Sequence, residues 1–257
     1  LVIAAGLFRR SLAELNAVNP GFRTDHLLLA QVVLPQNRYG AGANVAFHQR
    51  LEQAIADLPG VTSVGPAEVA YLSGDMLTTY VWRQGETIDP TRPQPEAYNA
   101  VGVDFFETLG IPIVAGRAFA ASDTNHSVAV GVVNQSFAKK RFPNQDPIGQ
   151  RVLVNERAGY GDILTNGPIE IVGVCADTLY ADLHGVAPPQ LFLPYAQQAQ
   201  IRRLTYQIRT ETKPEAIVPA PEELAASADG AGVAALLDVD GAPRSSDAFV
   251  IETSDAG

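Results

Sequence analysis

The residue types best suited to chemistry gather in the stretch CADTLYADLH, residues 175–184, which holds Cys175, Asp177, Asp182 and His184. A thiol beside an imidazole is a nucleophile, because the imidazole accepts the proton and leaves a thiolate. Two carboxylates beside an imidazole suit a metal ion or acid–base work. A hydrolase built on this group is therefore one reading of the chain. Each residue also has a plainer role: Cys175, between Val174 and Ala176, is a small buried residue of a strand, and Asp177 at the strand end suits a turn. His48 lies among charged neighbours in a helical pattern and reads as part of a solvated face. Glu14, Glu52 and Asp57 read as ordinary polar helix faces.

Two glycine pairs, GAGANV from Gly40 and GAGVAA from Gly230, resemble part of a dinucleotide loop. Such a loop needs a strand before it, a helix after it and an acidic residue about 20 positions on. The first follows a turn at Tyr39 and the second follows polar sequence, so both read as turn or helix-start glycines. The sequence contains no His-Glu-x-x-His, Gly-x-Ser-x-Gly, Walker-type loop or Cys-x-x-Cys. It assigns no catalytic, cofactor-binding or metal-binding residue. With one cysteine there is no intramolecular disulfide, and the four histidines are His26, His48, His126 and His184.

The formal net charge of −10 argues against a sequence-independent nucleic-acid surface, which needs clustered cations to displace counterions. Apolar residues make up 46% and charged residues 18% of 257 positions, enough for an ordered core. The opening run LVIAAGLF is too short to cross a bilayer in a helix, which takes about 20 residues. Residues 1–22 read as the end of a transmembrane helix and stalk, with an amphipathic helix start as the alternative.

Any site must be held by the elements around it. LLLAQVVL, residues 27–34, is an apolar run suited to a strand buried on both faces. ANVAFHQRLEQAIADLPG carries Val45, Phe47, Leu51, Ile55 and Leu58 near helical spacing, with Asn44 as N-cap and Pro59-Gly60 as the stop. A strand over 61–69 completes a strand–helix–strand unit. Residues 73–94 break into a hairpin or loop excursion around TTYVWRQGE. In VDFFETLGIPIVAGRAF, Asp104 and Glu107 form a capping-box arrangement, Gly110 ends the short helix, and Gly116-Arg117 turns the chain out of the following strand. Strands follow at 128–133, in DPIGQRVLV, IEIVGVCADT and PPQLFLPYAQ, and at 202–210, with a short helix capped by Asn134 between the first two. A helix could begin over 214–220, and residues 221–257 stay unassigned.

Six phrases then occur together, in order: NPGFRTDHLLLAQVVLP, FHQRLEQAIADLPGVTSVG, VGVDFFETLGIPIVAGRAFAASD, VAVGVVNQSFAKKRFPNQDPIGQRV, IEIVGVCADTLYADL and PPQLFLPYAQ. As a set, covering about residues 18–215, they resemble the MacB-like periplasmic core domain of ABC transporter permeases with an FtsX-like membrane part. The start of the chain is similar to the second core domain of duplicated permeases. The resemblance implies an α+β fold in two lobes. Residues 23–74 and 201–220 would form a porter-like α/β sandwich, and residues 75–200 an inserted, mostly β subdomain. It implies a non-catalytic domain on the periplasmic side of the cell membrane that transmits conformational change or contacts a partner or exported substrate. Expected partners are a cytoplasmic ABC ATPase acting through the membrane part, a periplasmic protein, and a second copy in the full transporter; nucleic acid is not among them. No cofactor is expected. Trp82, Phe105 and Phe106 are the candidate contact residues. A periplasmic module that binds a small molecule in the cleft between lobes, lined by Trp82 and nearby tyrosines, is the alternative.

Overall fold

The computed structural model describes residues 20–34, 42–71, 73–86, 95–154, 167–180, 186–198 and 201–211, and the backbone of 233–238. The fold is α+β. Its first strand, β1 (Leu27–Val33), runs into helix α1 (Ala43–Ala56) and then β2 (Val61–Ala67). These two strands do not touch. A late strand, β10 (Arg203–Thr210), lies between them and pairs antiparallel with both, and β11 (Val233–Asp238) pairs antiparallel with the outer side of β1. The result is an open sheet in the order β11-β1-β10-β2 with α1 packed on one face.

The remaining strands are β3 (Leu77–Arg83), β4 (Pro95–Val101), β5 (Ile113–Gly116), β6 (Val130–Asn134), β7 (Arg151–Val154), β8 (Ile169–Cys175) and β9 (Gln190–Pro194). Six of them close on one another. β3 pairs β4, β4 pairs β9, β9 pairs β6, β6 pairs β8, β8 pairs β7, and β7 returns to β3. Closure leaves no free edge in the ring, the usual protection against strand-to-strand aggregation. β5 adds to β8 beyond the stretch that β7 occupies. Strand pairing between the ring and the open sheet is confined to Ala67 of β2 with Val101 of β4, flanked by the Glu68 N–H to the Ala100 carbonyl and the Gly102 N–H to the Pro66 carbonyl, each at 2.8 Å.

Two buried apolar clusters largely follow this division of strands, with Leu27 of β1 and Ala67 of β2 joining the ring cluster and Ala100 of β4 joining the other. One fills the ring and includes Val81, Tyr98, Val132, Ile171 and Leu191. The other lies between α1 and the open sheet and includes Leu28, Val32, Phe47, Leu51, Ile55 and Tyr206. Two short helices, α2 (Phe105–Leu109) and α3 (Gln135–Arg141), anchor phenylalanines in the ring cluster, and a 3₁₀ turn (Tyr195–Gln197) leads from β9 toward β10.

Several local expectations differ from the structure. β1 is not buried on both faces: Leu28, Ala30 and Val32 are buried, whereas Leu29, Gln31 and Val33 alternate toward solvent. Its apolar run is a one-sided strand with hydrophobic residues left on the outer row. Asn44 is not the N-cap of α1; Gly42, in the left-handed region at φ 81°, holds that place, and Asn44 sits buried in the first turn. Asp104 caps α2 without a side-chain hydrogen bond, so the capping box is not formed. Gly110 does end α2 at φ 65°, and Asn134 does cap α3, accepting from the Phe137 N–H at 2.9 Å. Strand β4 had no forecast, and β11 lies in the tail left unassigned. Of the expected stalk over 1–22, residues 1–19 lie outside the described residues, as does the helix over 214–220.

Candidate functional site

The candidate nucleophile is a packing residue. Cys175 is fully buried in the ring cluster, and burial first, with the Asp177 charge second, pushes its thiol well above the usual range. A thiol so held is a poor nucleophile. Both carboxylate oxygens of Asp177 are committed to the first turn of α3: one accepts from the Ser136 N–H and the other from the Ser136 hydroxyl, each at 2.8 Å. Asp182 and His184 lie outside the described residues. Among the described residues no three His, Cys, Asp or Glu side chains gather to hold a metal ion. Of the two glycine pairs, Gly40 and Gly230 also lie outside the described residues.

Phe105 and Phe106 are 0% and 2% exposed. Their rings meet edge-on at 5.4 Å and both pack on Phe192, with Tyr71 against the first and Phe119 against the second. Neither reaches the surface, which corrects the expectation that they could meet a partner. Apolar spacing alone does not separate a core anchor from a surface aromatic. Trp82 is different: it is half-buried on the outward row of β3, with the Tyr80 ring 6.3 Å away.

Helix α1 holds two corrections. His48 is fully buried, not solvated, because Asn44, His48, Leu51 and Ile55 form one stripe at helical spacing. Its Nδ1 lies 2.7 Å from the Tyr206 hydroxyl, and Nε2 faces the Ile201 and Arg202 backbone without a well-formed hydrogen bond. Burial lowers its pKa to about 4, so the ring is neutral. Glu52, one turn later, accepts a hydrogen bond from the Tyr195 hydroxyl and is not an ordinary surface carboxylate.

Arg209 of β10 organises a junction that the sequence did not disclose. Its guanidinium donates to three backbone carbonyls: Thr108 at 2.6 Å, Arg23 at 3.1 Å and Asp25. The side chain is 9% exposed, and the Asp25 carboxylate lies 3.7 Å from it. Burial first, and the neighbouring Arg23 cation second, lower its pKa. Thr108 belongs to α2, on the ring side; Arg23 and Asp25 belong to the segment that leads into β1. The same segment is pinned by backbone bonds: Arg23 N–H to the Leu109 carbonyl at 2.7 Å, and Leu179 N–H to the Pro20 carbonyl at 2.9 Å. Residues 20–26 are thus tied to α2, to the loop after β8, and to the open sheet. Register places the start of β1 beside the end of β11, with Leu28 opposite Asp238. The chain leading into the sheet and the chain leaving it share one end.

The α+β arrangement, with the start of β1 beside the end of β11, is the fold to which the following likenesses attach. The family model for the MacB-like periplasmic core domain matches residues 7–226, and the chain belongs to that family. The macrolide export ATP-binding/permease protein MacB of Azoarcus sp. (strain BH72) is 30% identical over 122 residues, covering 48% of this chain and 15% of that protein. The pyoverdine export ATP-binding/permease protein PvdT of Pseudomonas aeruginosa is 28% identical over 147 residues, covering 56% of this chain and 18% of that protein. The chain spans less than a fifth of the length of either relative. The crystal structure of the periplasmic region of MacB from Actinobacillus actinomycetemcomitans superposes with a TM-score of 0.52 at 16% identity, covering 86% of this chain and 91% of that one. That likeness concerns the fold. No helix among the described residues is long and apolar enough to cross a membrane.

Proposed function

We propose that this chain is the periplasmic domain of an ABC transporter permease, performs no catalysis itself, and passes conformational change between membrane segments and the ring of strands. The Arg209 junction carries this reading. A segment that arrives from the membrane can move the rest of the domain only if it is fastened to it, and residues 20–26 are fastened at three places. Residues 23–74 and 201–220 would form the porter-like lobe, and 75–200 the inserted lobe. The ring and open sheet also meet through backbone bonds flanking that pair and through α2 packed on β2, and the bonds of Arg209 would add to these in setting how the lobes move together. The export roles in the relatives' names support transport out of the cell as the process, driven by an ABC ATPase.

Trp82, half-buried beside Tyr80, is the contact assigned to a periplasmic partner protein or exported substrate; aromatics of this kind supply area at low entropic cost. The test uses the whole reading frame expressed with its genomic neighbours. The expected result is a protein extracted only by detergent, with an ABC ATPase domain or co-purifying ATPase subunit that hydrolyses ATP. A full-length product released by osmotic shock, with no ATPase attached, would overturn the reading. A small-molecule library that raises the melting temperature only when Trp82 is intact would instead favour a ligand-binding module.

A further inference from the structure

The open sheet has two unlike faces. Beneath α1 it presents Leu28 and Val32 of β1, Val64 of β2, and Leu204, Tyr206 and Ile208 of β10, all in one apolar cluster. On the opposite face β10 presents Thr205, Gln207 and Arg209, which are 4%, 1% and 7% exposed. The element lying over β2 and β10 on that side is α2, whose phenylalanines are rooted in the ring cluster. The approach is close: a Cβ on Gly65 of β2 would come within 2.8 Å of the Phe105 Cα and 3.0 Å of the Thr108 Cβ. The plane between α2 and the open sheet is therefore a contact of ring with sheet made from polar groups and bare backbone.

Two of those polar groups stand unpaired. Gln31 Nε2 donates to the Thr205 hydroxyl at 3.3 Å, and Arg209 Nε donates to the Thr108 carbonyl at 2.6 Å. The Thr108 hydroxyl and the Gln207 amide nitrogen are buried with no hydrogen-bond partner among the described residues. They are neighbours: Gln207 lies opposite Gly65 in the register of β10 with β2, and the same Gly65 Cβ position is 3.1 Å from Thr108 Oγ1. Opposed positions of antiparallel strands share a face and stand about 5 Å apart, so a small displacement of α2 over the sheet brings amide and hydroxyl into bonding range.

We propose that α2 shears across the open sheet between two arrangements, the one described and a second in which Gln207 Nε2 donates to Thr108 Oγ1. Interlocked apolar side chains resist displacement, because each shift opens voids between them. The cluster under α1 is of that kind, whereas α2 rests on a glycine that offers no side chain to interlock. A buried polar group without a partner disfavours the arrangement that leaves it so, and the bond made on displacement favours the other. Both effects narrow the gap between the two, which is the condition for a populated minor state. The Arg209 bond to the Thr108 carbonyl limits the travel to a small shear of packed elements. The shear concerns this fold alone and does not rest on the transport reading.

The test is methyl relaxation dispersion on the full chain labelled at its threonines. Thr108 and Thr205 should show microsecond-to-millisecond exchange that Thr79, buried in ring strand β3, lacks. Gln207→Met and Thr108→Val keep the bulk of each side chain and remove the bond, so either should suppress the exchange read at Thr205. Each also removes a buried polar group that has no partner in the main arrangement, so the unfolding constant should fall, by roughly fivefold. Flat dispersion at Thr108 and Thr205 in the parent, or exchange at Thr205 that persists in either variant, would overturn the shear. So would a variant that unfolds more readily than the parent or fails to fold, the result expected if the lost group already had a partner.

Discussion

Replacing Arg209 with methionine keeps a stem of similar bulk and removes the guanidinium that serves three carbonyls. The Thr108 carbonyl belongs to a residue that is itself fully buried, whereas Arg23 and Asp25 are exposed residues whose carbonyls can turn to water. A buried acceptor left without a donor costs about 1–3 kcal/mol, and a hydrogen bond to a charged group contributes about 1.5–3 kcal/mol. Removing a cation that burial already disfavours returns part of that loss. The net expectation is about 2–3 kcal/mol, a drop of roughly 5–10 °C in Tm for a domain of this size. Urea unfolding followed by circular dichroism measures it directly. Arg209→Lys is the sharper control, because a single ammonium cannot reproduce a planar fork reaching three acceptors. It should recover less than half of the loss. A methionine variant within about 1 kcal/mol of the parent, or a lysine variant indistinguishable from it, would refute the junction as described.

Gly116 stands at φ 69°, and an added Cβ would meet the Val172 carbonyl at 2.2 Å, so Gly116→Ala should destabilise the chain by more than about 2 kcal/mol in the same unfolding assay. Because Arg117 N–H donates to that same carbonyl, the loss should appear as early hydrogen exchange at Arg117. Cys175 should resist a thiol reagent in the native state and react within seconds once urea unfolds the chain.

Much of the chain's order was legible because period and punctuation agree there. The α3 region reads directly: an apolar strand, an asparagine cap and three basic residues at the helix end, all found as expected. β4 was not legible, since PEAYNAV places Glu96 and Asn99 where a strand forecast wants apolar residues. Both are buried because each finds partners: Arg141 and Lys140 for Glu96, and both backbone groups of Val69 for Asn99. β11 was hidden in an Ala- and Asp-rich tail, where pairing to β1 rather than local propensity makes the strand. His48 could have been found from its stripe with Asn44, Leu51 and Ile55; its neighbours Gln49 and Arg50 are the exposed residues. The Arg209 junction joins groups more than 100 residues apart through backbone carbonyls, which carry no residue-type signal.

The most direct measurement is hydrogen exchange on the intact permease with its ATPase, nucleotide-free and trapped with ATP. If residues 20–26 pass motion from the membrane into the domain, protection of the Arg23 and Leu179 amides, and of the Thr210 amide that donates to the His26 carbonyl, should change between the two states while β6 and β8 inside the ring stay constant. Equal protection at all three junction amides in both states would contradict the account.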